Sequence, residues 1–307
     1  MDFLSELQDF ILFSQNRLRH TVELKTEQPL AAYSSMRTGG IAEAVVFPET
    51  PTDLSLLLWF LFEKKVKFTL LGRGTNTLFA TKRYEGLIIS TERMNRVRVE
   101  GDTLIAEAGV SLITACRLAA KAGLSGLEPL YGIPGSVGGA IAMNAGAFDR
   151  TISDLMPVSL AVSAEGKTLL LSTEDHGFSY RNSRFSSDPY TAVVETRLCL
   201  TPACRGEIYQ KMDAYMTARR EKQPLEYPSL GSVFKRFEGG YAARLIEDAG
   251  LKGASHGGAR VSEKHAGFIV NAGGAEGEDV LLLMEYVQSE VYRRTRIRLQ
   301  PEIKIVR

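Results

Sequence analysis

The 307-residue sequence lacks a charge excess of either sign, since 37 lysines and arginines face 36 aspartates and glutamates. A general nucleic-acid-binding protein carries a marked basic excess, so that class is excluded. The three cysteines, Cys116, Cys199 and Cys204, are too few and too scattered for a disulfide scaffold or a four-cysteine zinc site. The four histidines have no metal-binding spacing, so no metal site is expected.

Long apolar runs are also missing. The densest run, residues 54–62, is too short to span a bilayer, and residues 1–6 lack the basic stretch of a secretory signal. These absences predict a soluble, cytoplasmic protein with no membrane partner. The single tryptophan, Trp59, falls inside the apolar run and is expected in the core.

Hydrophobic periodicity divides the chain into three parts. Residues 1–80 combine helices and strands, and the helix after Thr50 carries a capping residue, a proline and an acid three positions after the cap. Residues 81–201 hold mostly short strands, and Gly101-Asp102 and Glu165-Gly166 predict hairpin turns between them. This part therefore predicts an α+β arrangement with a largely antiparallel sheet. Residues 202–307 alternate helices, strands and glycine loops, and residues 231–235 are predicted to form a loop that enters a strand.

The sequence holds 28 glycines, and two glycine-rich loops stand out among them, the first directly after a predicted strand. The first, residues 72–76 (GRGTN), either gathers backbone N–H groups around an anion or forms a plain tight turn. It matches neither the Rossmann nor the Walker pattern. The second, residues 132–140 (GIPGSVGGA), has four glycines and a proline, which fix a backbone path that allows close approach to a flat ligand. The alternative for this loop is a purely structural Ω-loop.

The second loop, with residues 144–147 behind it, resembles the flavin loop of the UDP-N-acetylenolpyruvoylglucosamine reductase family. Further motifs of that family occur in the family's order from about residue 30 to the end. They lie at residues 37–40 (RTGG), 71–78 (LGRGTNTL), 178–185 (FSYRNSRF, the tyrosine-arginine motif), 231–235 (GSVFK), 245–253 (LIEDAGLKG), 261–265 (VSEKH) and 301–303 (PEI).

The resemblance implies non-covalent FAD on a fold of the vanillyl-alcohol-oxidase type. A two-part FAD-binding region would occupy residues 1–80 and 81–201, and an α+β substrate domain would occupy residues 202–307. The length suits the shorter subtype of the family, which lacks an extra substrate loop. A monomer is expected.

The family's reaction reduces an enolpyruvyl ether to a lactyl ether, which makes UDP-N-acetylmuramate for peptidoglycan. NADPH is the implied co-substrate, and hydride passes from N5 of the reduced FAD to the substrate. The resemblance makes Ser232 the proton donor and places Arg181 at the substrate carboxylate, where a guanidinium can fork onto it. Glu302 would lie near the same carboxylate, either protonated or as a carboxylate that holds Arg181 and water in place.

The remaining site residues implied by the resemblance fall into two groups. Those for FAD are Arg37, Gly72, Arg73, Gly74, Thr75, Asn76, Thr77, Gly132, Ile133, Pro134, Gly135, Ser136, Gly138 and Gly139. Those for the UDP pyrophosphate and uracil are Tyr180, Lys222, Lys235 and Arg236.

The chain departs from the family pattern at three places. Residues 72–76 read GRGTN where GGGSN is usual, Arg236 stands where Asn is common, and Phe237 stands where Pro is common.

Two alternative functions remain open at this point. The first is another flavin enzyme of the same fold, such as a sugar or alcohol oxidase, which would carry its flavin on a His or Cys; neither glycine loop contains one. The second is a flavin-free protein that binds sugar nucleotides.

Overall fold

The protein is described by a computed structural model that covers residues 3–18 and 22–307. Helices and short strands alternate along these residues. The helices are α1 Phe3–Leu18, α2 Pro51–Glu63, α3 Leu112–Ala122, α4 Val137–Ala142, α5 Arg184–Ser187, α6 Arg205–Lys222, α7 Ala242–Asp248 and α8 Gly277–Thr295. None of these helices is both long enough and apolar enough to cross a lipid bilayer.

Most of the strands are short. They are β1 Glu23–Pro29, β2 Ile41–Phe47, β3 Phe68–Leu71, β4 Thr77–Phe79, β5 Arg83–Ser90, β6 Val97–Glu100, β7 Thr103–Glu107, β8 Leu124–Ser125, β9 Gly146–Ala147, β10 Arg150–Thr151, β11 Val158–Ser163, β12 Thr168–Leu171, β13 Thr191–Cys199, β14 Thr201–Pro202, β15 Ser229–Ser232, β16 Ser255–His256, β17 Ala259–Val261, β18 Phe268–Asn271 and β19 Lys304–Val306.

The chain forms two compact units. The first unit takes the described residues of Met1–Gln28, Ala42–Arg73 and Glu85–Met216. The second takes Pro29–Ile41, Gly74–Tyr84 and Thr217–Arg307. The boundaries predicted at residues 80 and 201 subdivide the chain in a different way and stay a prediction.

The first unit is built on two sheets. One has four strands in the order β1-β2-β5-β3, and the other has five antiparallel strands in the order β12-β11-β13-β7-β6. The predicted hairpins are confirmed, because Gly101 and Gly166 lie in the turns that join β6 to β7 and β11 to β12, with φ of 57° and 74°. Short strands and a largely antiparallel sheet confirm the α+β prediction for this part of the chain.

Helix α2 begins as the sequence predicts. The Thr50 side chain accepts a hydrogen bond from the Asp53 N–H at 3.2 Å, and the Asp53 carboxylate accepts one from the Thr50 N–H at 2.9 Å. The helix buries Leu54, Leu57, Leu58 and Leu61 on one face. The prediction that Trp59 lies in the core is wrong: the side chain is 43% exposed, because its position falls between the 3- and 4-residue steps of the buried face.

The second unit has a four-stranded sheet in the order β15-β18-β17-β16. A separate parallel pair joins β19 to β4, with Lys304 opposite Thr77. Its core therefore combines segments that are far apart in sequence, since Met36 and Leu78 are fully buried in the same cluster as residues from α7, β18 and α8.

The prediction of a loop entering a strand at residues 231–235 is only half right. Strand β15 already ends at Ser232, with Ser229 opposite Val270 and Ser232 opposite Phe268. The register shifts between these two pairs, and Gly231 has a left-handed φ of 79°. A bulge of this kind mimics a loop in the sequence, because glycine favours both.

Candidate functional site

The first glycine loop passes from one unit to the other. Gly72 and Arg73 belong to the first unit, whereas Gly74, Thr75 and Asn76 belong to the second, as Thr77 does.

The second glycine loop lies in the first unit, along the segment that joins β7 to α3. The Val137 N–H donates to Val110 O at 2.8 Å, and the Gly138 N–H donates to Ala108 O at 2.9 Å. A Cβ on Gly138 would lie 2.7 Å from the Cβ of Ala108. Glycine at position 138 is therefore required for packing against the protein itself, independently of any ligand.

The two glycine loops meet inside the first unit. A Cβ on Gly72 would lie 2.3 Å from Ser136 Oγ, closer than real Cβ contacts allow. The same hydroxyl accepts a hydrogen bond from the Gly139 N–H at 3.2 Å and caps α4. Bare backbone at Gly72 thus lets it adjoin Ser136 of the second loop. Two glycine-rich backbone segments therefore meet within this unit, which is compatible with a flat, phosphate-bearing cofactor such as FAD.

The half of the first loop that lies in the second unit is fixed by residues 33–36. Gly74 has a φ of 61°, and its Cβ would lie 1.8 Å from Tyr33 O, so no other residue fits there. Its own carbonyl accepts a hydrogen bond from the Ser35 N–H at 3.1 Å. Next to this contact, Arg37 is exposed, whereas Thr38 is 2% exposed and its Oγ1 has no hydrogen-bond partner among the described residues.

The second unit brings Ser232 and Glu302 onto neighbouring segments. The Glu302 N–H donates to Val233 O at 2.8 Å, directly after Ser232. Asn76 joins them, because its Nδ2 lies 3.4 Å from Glu302 O and its own carbonyl accepts from the Lys304 N–H at 2.8 Å. One predicted FAD residue and two predicted catalytic residues therefore lie together.

Arg181 lies in the first unit, at the end of the second glycine loop. Its guanidinium donates to Gly146 O at 3.0 Å and to Asn144 O at 3.4 Å. The Asn144 side chain in turn donates to Ser179 O at 3.1 Å. Arg181 also lies 5.1 Å from the ring centre of Tyr180, which is 44% exposed. The tyrosine-arginine motif is thus tied, through main-chain carbonyls, to residues 144–147, which follow the second glycine loop.

The three basic residues predicted to bind substrate all belong to the second unit. Lys222 is exposed at the last turn of α6, and the Lys235 N–H donates to Gln300 O at 2.8 Å. Arg236 is exposed, with its guanidinium 4.5 Å from the ring centre of Tyr241. A planar cation over a ring is favourable and keeps the side chain extended.

A buried histidine network escaped the sequence analysis. His176 is fully buried, with Nε2 2.8 Å from Ser159 Oγ, and Ser159 Oγ is 3.0 Å from Thr196 Oγ1. Burial lowers the pKa of His176 below its usual range, so the ring is neutral at pH 7. It stacks on Phe178, with ring centres 4.7 Å apart, and so supports the start of the tyrosine-arginine motif. A lone histidine carries no such signal in sequence.

Comparisons with known proteins decide which family carries this arrangement. A family model described as an FAD binding domain matches residues 42–172, and one described as the C-terminal domain of UDP-N-acetylenolpyruvoylglucosamine reductase matches residues 223–306. A reductase of that name from Latilactobacillus sakei subsp. sakei is 38% identical over 303 residues, which cover 99% of this chain and 98% of the relative. The chain belongs to the UDP-N-acetylenolpyruvoylglucosamine reductase family.

Other members of the reductase family agree. The reductase from Caldanaerobacter subterraneus subsp. tengcongensis is 42% identical over 284 residues, which cover 92% of this chain and 94% of the relative. The crystal structure of the reductase from Thermus caldophilus matches with a TM-score of 0.79 at 33% identity and covers 93% of this chain and 99% of that one.

The family assignment settles the fold class. A two-part FAD-binding region of the vanillyl-alcohol-oxidase type, followed by an α+β substrate domain, is confirmed as the fold class. FAD is likewise supported as the cofactor. The match along nearly the whole chain favours the reductase over both a covalent-flavin oxidase and a flavin-free binding protein. Among the described residues, no cluster of three or more His, Cys, Asp or Glu side chains could hold a metal ion.

Proposed function

We propose that this chain uses FAD and NADPH to reduce UDP-N-acetylenolpyruvoylglucosamine to UDP-N-acetylmuramate in peptidoglycan precursor synthesis. The observation that carries the proposal is the reductase family match over almost the full length. The contact of the two glycine loops at Gly72 and Ser136 supports it, because it brings two glycine-rich backbone segments together. A cytoplasmic, monomeric enzyme is part of the proposal.

FAD, when bound, supplies the hydride chemistry that connects NADPH to the enolpyruvyl carbon. The chain's residues hold it on the glycine loops: Gly72, Arg73 and residues 132–139 in the first unit, and Arg37 with residues 74–77 in the second. The unpartnered Thr38 hydroxyl supports a polar ligand beside Arg37, because a buried hydroxyl without a partner is costly.

Ser232 is assigned the proton donation that completes the reduction. Its hydroxyl makes no hydrogen bond to any described protein atom, so it is available to substrate. A hydroxyl is a weak acid in water, but a carbanion is a strong base, which makes the transfer favourable. The Cβ direction at Gly231 opens into free space, so the strand leaves room beside the serine.

Arg181 and Glu302 are assigned to the substrate carboxylate. Arg181 stabilises the charge that spreads into this group, and the carbonyls of Asn144 and Gly146 orient its guanidinium before substrate arrives. Glu302 is assigned a catalytic role beside the same carboxylate, and its backbone bonds to Val233 and Asn76 hold the segment next to Ser232. Tyr180, Lys222, Lys235 and Arg236 are assigned to the UDP portion.

The overall proposal is tested on the purified holoprotein under anaerobic conditions. We expect a yellow protein whose flavin absorbance is lost on addition of NADPH and restored by the enolpyruvyl substrate, with UDP-N-acetylmuramate detected by mass spectrometry. UDP-N-acetylglucosamine, which lacks the enolpyruvyl group, is the matched control and should leave the flavin reduced. Colourless protein, or flavin that both compounds reoxidise equally, would refute the proposal.

Arg236 offers a test of pyrophosphate binding. Arg236→Asn should weaken the salt dependence of substrate affinity, because an amide contact is screened less than a full charge. Titrations at low and high salt measure this slope, and NADPH-driven flavin reduction should stay near the wild-type rate. Arg244→Asn is the matched control, since Arg244 is an exposed arginine of the same unit paired with Asp248 at 2.9 Å. An unchanged affinity and slope in Arg236→Asn would move the pyrophosphate to Lys222.

A further inference from the structure

Asn144 ends helix α4 in a left-handed conformation, with a φ of 41°. The Asn144 N–H donates to Ile141 O at 3.3 Å, and the Ala145 N–H donates to Ala140 O at 2.8 Å, which are the two hydrogen bonds of a Schellman motif. Glycine is the usual residue at this position of a helix end. Asparagine therefore brings a side chain to a place where the backbone turn needs none.

The amide of the Asn144 side chain is buried and bonded at both ends. The residue is 6% exposed. Its Nδ2 donates to Ser179 O at 3.1 Å, and its Oδ1 accepts from the Ser153 N–H at 3.3 Å. The amide thus uses a donor towards one segment and an acceptor towards another, a combination that an ionised aspartate cannot supply.

Ser179 begins the tight turn that carries Arg181. Ser179 and Asn182 exchange two backbone hydrogen bonds, at 3.1 and 3.2 Å, with Tyr180 and Arg181 between them. Arg181 has a left-handed φ of 51°, which is unfavourable for a side chain of its size. A conformation of this kind persists only where the surrounding structure holds it in place.

The two ends of the turn are held by different groups. After the turn, the hydroxyls of Ser183 and Ser186 donate to Ala142 O, at 2.8 and 2.7 Å. Before the turn, the Asn144 amide holds Ser179 through its carbonyl. Both attachments join the turn to the end of α4, and all these residues belong to the first unit.

We propose that the Asn144 side chain is a positioning residue for Arg181. Its amide holds the Ser179–Asn182 turn in the conformation that directs the guanidinium to the substrate carboxylate. The inference rests on the proposed function, which assigns Arg181 to that carboxylate. It also gives a reason for asparagine at the end of α4, because glycine would end the helix equally well but would leave Ser179 without this donor.

The first test removes the amide and keeps the backbone. Asn144→Gly retains the left-handed conformation and the Asn144 carbonyl, so it isolates the side chain. Reoxidation of the reduced flavin by the enolpyruvyl substrate should slow by about 10–100-fold, the effect of misplacing a reacting group by about 1 Å. Flavin reduction by NADPH should stay near the wild-type rate. Anaerobic stopped-flow absorbance measures both steps, and Asn95→Gly, at an exposed asparagine of the same unit, is the matched control.

Substrate affinity provides a second measurement on the same variants. Titration calorimetry of the oxidised holoprotein without NADPH gives the affinity in the absence of turnover. The affinity of Asn144→Gly should fall by a smaller factor than its reoxidation rate, because the negative charge on the carboxylate grows in the transition state. An affinity that falls as much as the rate would overturn the proposal, since a misdirected Arg181 affects the transition state most.

Asn144→Asp tests the donor separately. It keeps the size of the side chain and an acceptor for the Ser153 N–H, but it replaces the donor to Ser179 O with a carboxylate oxygen. Reoxidation should slow at least as much as in Asn144→Gly, whereas Asn95→Asp should match wild type. This variant keeps the proposal testable if Asn144→Gly fails to fold.

A double-mutant cycle separates positioning from a structural role. In an Arg181→Ala background, Asn144→Gly should cause no further slowing of reoxidation, because the group that it positions is absent. The same slowing in both backgrounds would overturn the proposal, as would equal slowing of both half-reactions together with a lower melting temperature. Asn144 variants that react like an active wild type would overturn this inference alone. A wild-type flavin that the substrate does not reoxidise would contradict the proposed function, and the inference with it.

Discussion

Ser232→Ala is expected to slow reoxidation of the reduced flavin by the enolpyruvyl substrate by about 10²–10⁴-fold, the usual contribution of a positioned general acid. Flavin reduction by NADPH should stay near the wild-type rate, because that half of the reaction needs no proton from Ser232. Anaerobic stopped-flow absorbance measures the two half-reactions separately.

The control for this prediction lies on the same strand. Ser229 also belongs to β15, where its carbonyl accepts a hydrogen bond from Ser35 Oγ at 2.6 Å. Ser229→Ala removes a hydroxyl without touching that carbonyl, so both half-reactions should be unaffected. If Ser232→Ala slows NADPH oxidation as much as substrate reduction, the serine does not act as the specific proton donor.

Gly72→Ala is expected to yield protein that has lost most of its flavin. The added Cβ would collide with Ser136 Oγ at 2.3 Å and force the two glycine loops apart. The flavin content is measured by the ratio of absorbance at the flavin band to that of the protein. Because the collision involves one atom, Gly72→Ala combined with Ser136→Gly should recover flavin; the lost helix cap costs only a few tenths of a kcal/mol.

Two further variants complete the flavin experiment. Gly101 has a φ of 57°, and a Cβ added there would meet no neighbouring atom. Gly101→Ala therefore strains the backbone at a position outside the two glycine loops, and this variant should keep full flavin. Ser136→Gly alone sets the flavin content that the double variant should reach, because both variants lack the Ser136 side chain and keep the backbone of the loop. Full flavin in Gly72→Ala, or no recovery in the double variant, would show that the contact between the loops does not shape the cofactor site.

Local structure was largely predictable from the sequence because its signals are local. The capping box at Thr50 and the turn glycines Gly101 and Gly166 act within a few residues, and the structure has them as predicted. Trp59 shows the limit: an apolar run predicts a helix, but which face is buried depends on what packs against it. The pairing of β4 with β19 had no sequence signal, since parallel strands distant in sequence share no turn.

The candidate site was predictable in its parts rather than in its geometry. The roles of Arg181 and Ser232 were predicted from the resemblance to the family. Sequence spacing alone does not distinguish a catalytic serine or arginine from an ordinary one. Tertiary packing also determines the contact of Gly72 with Ser136 and the burial of Arg219, whose Nε has no hydrogen-bond partner among the described residues. Arg219 and Arg220 are adjacent on α6 and have the same side chain, yet Arg219 is buried and Arg220 is exposed.

The pairing of Thr77–Phe79 with Lys304–Val306 affects when this part of the protein can fold during its synthesis. Strand β4 emerges early, but its partner is more than 200 residues away and is synthesised about 10–45 s later at about 5–20 residues per second. Leu78 is fully buried in the folded protein. Until β19 has been synthesised, Leu78 cannot make all the contacts of that core. Strand β4 therefore cannot complete its pairing until residues 304–306 have left the ribosome.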